Sequence, residues 1–299
     1  RHFFGICRTA YGSVLAAHGD WPSAELELMN AVEDLQATRP GLAAPTAVRL
    51  GQLRARQGRA DEARRLFETA LPLSHAVVAI GELDLDAGDA VGAADAAERV
   101  LRRLDEGSVL ERVTALELLA RARAAAGEHD ASAAAVAELE QAVTGLGTPY
   151  MRARAHAVAA EALLAAGDTD HARRMAEDAV DLFDACSASY EAARARLVLS
   201  AALAALDRPT HAAAAAKAAR DALALLGARH HAAAPGDALS PREIDVLRLV
   251  AHGLSDGEIA ERLFLSPHTI HRHVANARTK LRLPSRAAAV AYATRAGLL

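Results

Sequence analysis

Glycine recurs through the first 226 residues with a regularity that fixes where the chain can turn. Gly19, Gly58, Gly88, Gly127 and Gly167 each close one alanine-rich run and precede another, and Asp207 takes the same place in a sixth unit. The spacings are 39, 30, 39, 40 and 40 residues. Five residues after each mark comes a small side chain: Ala24, Ala63, Ala93, Ser132, Ala172 and Ala212. A second small or apolar residue follows seven later, as at Ala31, Ala70 and Ala179. Alanine-rich runs of this length favour helix, and small residues at this spacing let two antiparallel helices approach closely. One such hairpin cannot bury its apolar face alone, whereas a stack of them can. Residues 1–226 are therefore expected to form an array of about six helical hairpins. Strand signals are almost absent, so the fold class is all-α.

The segments GDWPSA, GRADEA and GDTDHA resemble the inter-helix turn of tetratricopeptide repeats. Most units run longer than the family's ~34 residues, and its aromatic positions are largely Ala or Leu here, in keeping with 3% aromatic content. The resemblance implies a tetratricopeptide-like α-solenoid. A solenoid offers two readings. Its concave surface binds a regulatory partner, a peptide or a small effector, or it is a spacer that positions the C-terminal residues. Trp21, Tyr150 and Tyr190 either line that groove or pack within the body.

Residues 227–238 read as a linker, short, small and broken by Pro235-Gly236. The pair His230-His231 within it is too isolated for a metal site. Beyond it, residues 239–299 hold three helix starts in close succession. Ser240-Pro241-Arg242-Glu243 places serine at N-cap, proline at N1 and glutamate at N3, a capping box. Ser255-Asp256-Gly257-Glu258 repeats the box, and Ser266-Pro267 starts the third helix without the glutamate. Gly253 is placed for a left-handed helix stop, with Leu254 as an apolar plug. Two short helices joined this tightly make a helix-turn-helix whose second member reads DNA.

Apolar stripes support three packed helices: Ile244, Leu247 and Val250 or Ala251; Ile259, Ala260 and Leu263; Ile270, Val274 and Leu281. The opposite face of the third helix carries His268, Thr269, His271, Arg272, Ala275, Asn276, Arg278 and Lys280. From Ser266 to Arg286 there are five basic residues and no acidic one. The whole chain has 34 Lys+Arg against 38 Asp+Glu, but residues 239–299 have nine against five, leaving the remainder at a net −8. Basic charge gathered on a small terminal module is the footprint of a polyanion binder.

The run LSPREIDVLRLVAHGLSDGEIAERLFLSPHTIHRHVANARTKLRLPSRAAAVAYA resembles the LuxR-type helix-turn-helix, a four-helix DNA-binding module of bacterial transcription regulators. The resemblance implies double-stranded DNA as partner, with Thr269, His271, Arg272, Ala275 and Asn276 on the face entering the major groove. Arg278 and Lys280, later on the helix, are expected to reach phosphates. His271 stands where family members commonly have lysine, and Ala275 where several have a polar or basic residue. A closing helix from about Ser285 to Arg295 resembles the one through which such modules pair, which implies a homodimer on DNA.

Other classes find little support. Glu243 and Glu258 read as caps, and no nucleophile–base constellation accompanies them, so no catalytic residue and no enzyme is expected. His271 and His273 lie on different faces of a helix with no cysteine nearby, so no metal site is expected. His273 is expected to hold the recognition helix against the core. No Gly-rich loop with Lys-Ser/Thr occurs, and no cofactor is expected. Cys7 and Cys186 match no disulfide framework, which suits a reducing cytoplasm. No apolar stretch reaches a membrane span of ~18 residues. Similar regulators join such a tail and body to an N-terminal nucleotide-binding domain, and a chain that opens on Arg1 in mid-helix reads as the C-terminal part of one; a short stand-alone regulator is the alternative. The reading is a sequence-specific transcription regulator. The alternative is a helical-repeat scaffold whose tail makes protein contacts.

Overall fold

A computed structural model describes residues 2–105, 107–228, 239, 241–263, 267–281, 283 and 285–295. The described residues contain helices and no strand. The first twelve helices pair as six hairpins: α1 (His2–Ala17) with α2 (Trp21–Thr38), α3 (Pro40–Arg56) with α4 (Ala60–Thr69), α5 (Ser74–Asp86) with α6 (Ala90–Leu101), α7 (Val109–Ala125) with α8 (His129–Thr144), α9 (Pro149–Ala166) with α10 (Thr169–Ala185), and α11 (Ser189–Ala205) with α12 (Pro209–Leu226).

The punctuation marks sit at the turns inside these hairpins. Gly19, Gly58, Gly88, Gly127 and Gly167 have φ between +76° and +88°, and Asp207 takes φ +56°. Glycine adopts that backbone without steric cost, and Asp is among the few other residues that tolerate it. At three turns the next residue starts the following helix: Asp20, Asp89 and Asp168 each accept from a backbone N–H three residues on. The small residues after the turns are where the hairpin helices meet. Ala24, Ala63, Ala93 and Ala172 are fully buried, and the Ser132 hydroxyl donates to Ala120 O at 2.8 Å across its hairpin.

Each hairpin packs on the next mainly through its second helix against the first helix that follows, and the odd-numbered helices from α1 to α11 also touch one another in a continuous layer. Ion pairs run across that layer: Arg121 to Glu82 at 3.4 Å joins α7 to α5, and Arg154 to Glu117 at 2.6 Å joins α9 to α7. The array coils far enough for its ends to meet. Arg56 of α3 pairs with Glu191 of α11 at 2.8 Å and lies 4.7 Å over the Tyr190 ring, which tilts against Trp21 at 5.7 Å. Trp21 is buried, its indole N–H donating to Ala16 O. It is a packing residue that seals this junction. The repeat body is the α-solenoid that the turn segments imply.

Four further helices form the C-terminal module: α13 (Pro241–Ala251), α14 (Asp256–Leu263), α15 (Pro267–Lys280) and α16 (Arg286–Arg295). Val246, Ile259, Ala260, Ile270 and Val274 form one core cluster, and Leu247, Ala277 and Ala289 a second beneath α16. One assignment shifts. Val246 is fully buried whereas Ala251 is exposed, so the α13 stripe runs through Glu243, Val246, Leu247 and Val250. Val290 of α16 packs against the second cluster with Leu281 and Leu283.

Candidate nucleic-acid interface

The turn that sets α15 is built from local signals. α13 ends on Gly253 at φ +84°, with Leu254 N–H donating to Leu249 O and the Leu254 side chain packed on the core. This pattern stops a helix and redirects the chain. Space around Gly253 is open, so an added methyl meets only backbone strain. Gly253→Ala is therefore expected to cost about 1–2 kcal/mol, read as faster amide hydrogen exchange along α13 and α14.

α14 starts on a complete capping box. Ser255 N and Oγ both donate to Glu258 Oε2, at 2.8 and 2.7 Å, and Glu258 N donates back to Ser255 Oγ at 3.3 Å. Hydrogen bonds from the Ser255 backbone and hydroxyl lower the Glu258 pKa. The other box is different. Glu243 is buried at 1% exposure, and Ser240 lies outside the described residues, as does the Ser266 cap of α15. Histidines 230 and 231 also lie outside them.

α15 buries Ile270, Val274 and Ala277 against the module core. Of the expected DNA-facing residues whose side chains are described, His271 is the most open, its side chain 75% exposed. Ala275 and Arg278 are half-buried. Thr269 is only 4% exposed. Arg272, Asn276 and Lys280 hold their helical positions; their side chains lie outside the described set.

Carboxylates absent from α15 in sequence approach it in space. Asp256, at the start of α14, lies 3.7 Å from His271 Nδ1. The same aspartate pairs with Arg286, whose guanidinium also donates to Leu254 O at 3.3 Å. One of the five cations in the acid-free run thus ties α16 to the helix-turn-helix. His273 is buried, with Asp89 Oδ1 of the repeat body 3.6 Å from its Nε2.

A second candidate site lies in the body. A cavity of about 410 Å³ sits where the solenoid ends meet, lined by Ser13, Arg49, Gln52, Arg56, Tyr150 and Glu191 among others. Tyr150 stands at its wall, edge-on to Phe183. Burial raises the Tyr150 phenol pKa, and the nearby Glu191 carboxylate adds to the shift. Among the described residues no group of His, Cys, Asp and Glu could hold a metal ion. No described helix is long and apolar enough to cross a membrane.

Residues 237–293 match the family of bacterial regulatory proteins, luxR family. Over 71 residues the chain is 46% identical to a protein of Mycobacterium tuberculosis named as an HTH-type transcriptional regulator, Rv0890c, covering 24% of this chain and 8% of that protein. Over 65 residues it is 46% identical to a nitrate/nitrite response regulator protein homolog of Haemophilus influenzae, covering 22% of this chain and 31% of that one. Over 61 residues it is 44% identical to the quorum sensing-dependent transcriptional regulator VjbR of Brucella ovis, covering 20% and 24%. The aligned segments thus span less than a third of each relative. Among solved structures, BtubC (BKLC) from P. vanneervenii aligns with a TM-score of 0.45 and 16% identity, covering 75% of this chain and 96% of that one. Its capping box, glycine stop, four helices and sequence together make the C-terminal module of this chain a LuxR-family helix-turn-helix domain.

Proposed function

We propose that the chain is a sequence-specific transcription regulator that binds promoter DNA through α15. The observation that carries this reading is a helix-turn-helix whose second helix holds no acidic residue and presents His271 to solvent. A helix free of its own carboxylates suits the polyanionic walls of a groove. Selection from a random DNA pool with the full chain tests it; recovery of no enriched motif counts against it.

The same reading assigns roles on α15. Arg272 can donate two hydrogen bonds to guanine O6 and N7. Arg272→Ala is expected to cost ~1–3 kcal/mol on the best site and to relax one G·C position per half-site. Return of the parent motif by that variant would make Arg272 a phosphate contact. Lys280 lies late on the helix, and Lys280→Ala is expected to weaken binding to all sequences alike, flattening the salt dependence by about one unit.

A single module reads few base pairs, so the regulator binds a two-part site as a homodimer, pairing through α16. Sedimentation of the saturated complex at one protein per site would refute this. The repeat body senses a partner or small effector, and the cavity walled by Arg49, Arg56 and Tyr150 is the place for it. The protein acts in the cytoplasm and is not an enzyme.

A further inference from the structure

α15 does not stand clear of the repeat body. Thr269 Oγ1 donates to Asp95 Oδ2 of α6 at 3.3 Å, and one turn later His273 Nε2 lies 3.6 Å from Asp89 Oδ1 at the start of α6. The earlier residue of α15 meets the later residue of α6, so the two helices run in opposite senses. Thr269 and His273 are 4% and 1% exposed, and Asp89 is 8%. This is a packed contact, buried around His273 and Asp89, with Asp95 half-buried at the other meeting point.

Its position on α15 matters. Ile270, Val274 and Ala277 mark the core side of the helix, and Thr269 and His273 lie on the flank next to it. An α-helix with its side chains is ~10–12 Å across, and the major groove is ~12 Å wide. A helix seated there has a phosphate backbone along each flank. On one flank of α15 that place is held by α6, which presents two carboxylates. On the other flank His271 is exposed, with Asp256 of α14 3.7 Å from it.

We propose that α6 and DNA compete for α15: the repeat body stores the helix-turn-helix in a closed arrangement through Asp89 and Asp95, and DNA binds once α15 has left α6. The inference rests on the DNA-binding reading above. Because a site competent for only a fraction of the time shows an affinity reduced by that fraction, a change that loosens the contact strengthens DNA binding without touching the DNA-facing residues. A ligand of the body that moves α6 would act in the same way.

Asp89→Asn/Asp95→Ala in the full chain is the first test. Asparagine preserves the helix start that Asp89 caps through Gly92 N. The variant is expected to bind a long mixed-sequence duplex at low salt about tenfold more tightly than the parent. Glu33→Gln/Asp181→Asn removes the same charge elsewhere on the body and is expected to change binding far less. Equal gains from the two variants would overturn the proposal. The second test does not depend on that variant folding well. Asp89→Cys/His273→Cys, with Cys7 and Cys186 changed to serine, is treated with a short reversible bis-thiol reagent; neither position belongs to the DNA-facing set. The bridge is expected to form within one chain and to abolish DNA binding until it is reduced. No bridge, or a bridged protein that binds DNA like the reduced one, overturns the proposal. A bridge that forms in a protein binding no DNA in either state refutes the DNA-binding reading instead.

Discussion

Arg154→Ala is expected to destabilise the repeat body by about 3–5 kcal/mol, among the largest effects of any single substitution in this chain. Arg154 of α9 donates to Glu117 Oε2 of α7 at 2.6 Å, and Glu117 is only 6% exposed. The other carboxylate oxygen is buried without a hydrogen-bond partner among the described residues. Burial, the largest single influence, lowers the Arg154 pKa, but the Glu117 carboxylate together with Tyr150 and Glu82 outweighs it and the net shift is upward. Deleting the guanidinium leaves a buried carboxylate with its main partner gone, which is worse than having neither group. Arg154→Met/Glu117→Leu should therefore recover most of the loss. Urea unfolding of the two single variants and the double variant measures this. A loss below about 1 kcal/mol for Arg154→Ala would place the pair among ordinary surface ion pairs.

The pair also marks a boundary of what the chain reveals before folding. Turn glycines, the small residues behind them, the Ser255–Glu258 box and the Gly253 stop are local, because each signal and its structural partner lie within a few residues. These were legible, and they carried the all-helical class and the two architectures. Arg154 with Glu117, Arg56 with Glu191 and Arg286 with Asp256 are separated by 37, 135 and 30 residues. Nothing in the local spacing selects one carboxylate over another for those arginines. The body is rich in both charges, and only the stacking of helices brings particular partners together.

The same limit shows in the C-terminal module. A stripe drawn through Ile244, Leu247 and Val250 or Ala251 follows helical spacing, as does one through Glu243, Val246, Leu247 and Val250. Packing against α14, α15 and α16 selects the second. An acid-free α15 is likewise a statement about neighbours in sequence. Asp256, Asp89 and Asp95 come from α14 and α6, so the charge around the recognition helix is set by tertiary structure.

Ile259→Ala is expected to have the largest effect on DNA binding without touching the DNA-facing surface. Ile259 is fully buried on α14, packed with Val246, Ala260, Ile270 and Val274. Removing three buried carbons costs the transfer of the lost surface and leaves a cavity, together about 2–5 kcal/mol. In a large core that is one contribution among many. Here four short helices share two small clusters, and a domain of this size has little stability to spare. A loss of about 3 kcal/mol is more than a hundredfold in the folding equilibrium, enough to leave a substantial part of the module unfolded. The repeat body has its own clusters and should keep its melting transition. The variant is thus expected to lose DNA binding while most of its helical signal by far-ultraviolet circular dichroism persists. Loss of both together would mean that body and module fold as one cooperative unit, with the α6–α15 contact coupling them more strongly than two polar meetings suggest. Retention of full binding would mean that α14 can repack around alanine and that the turn, not the core, holds α15 in place.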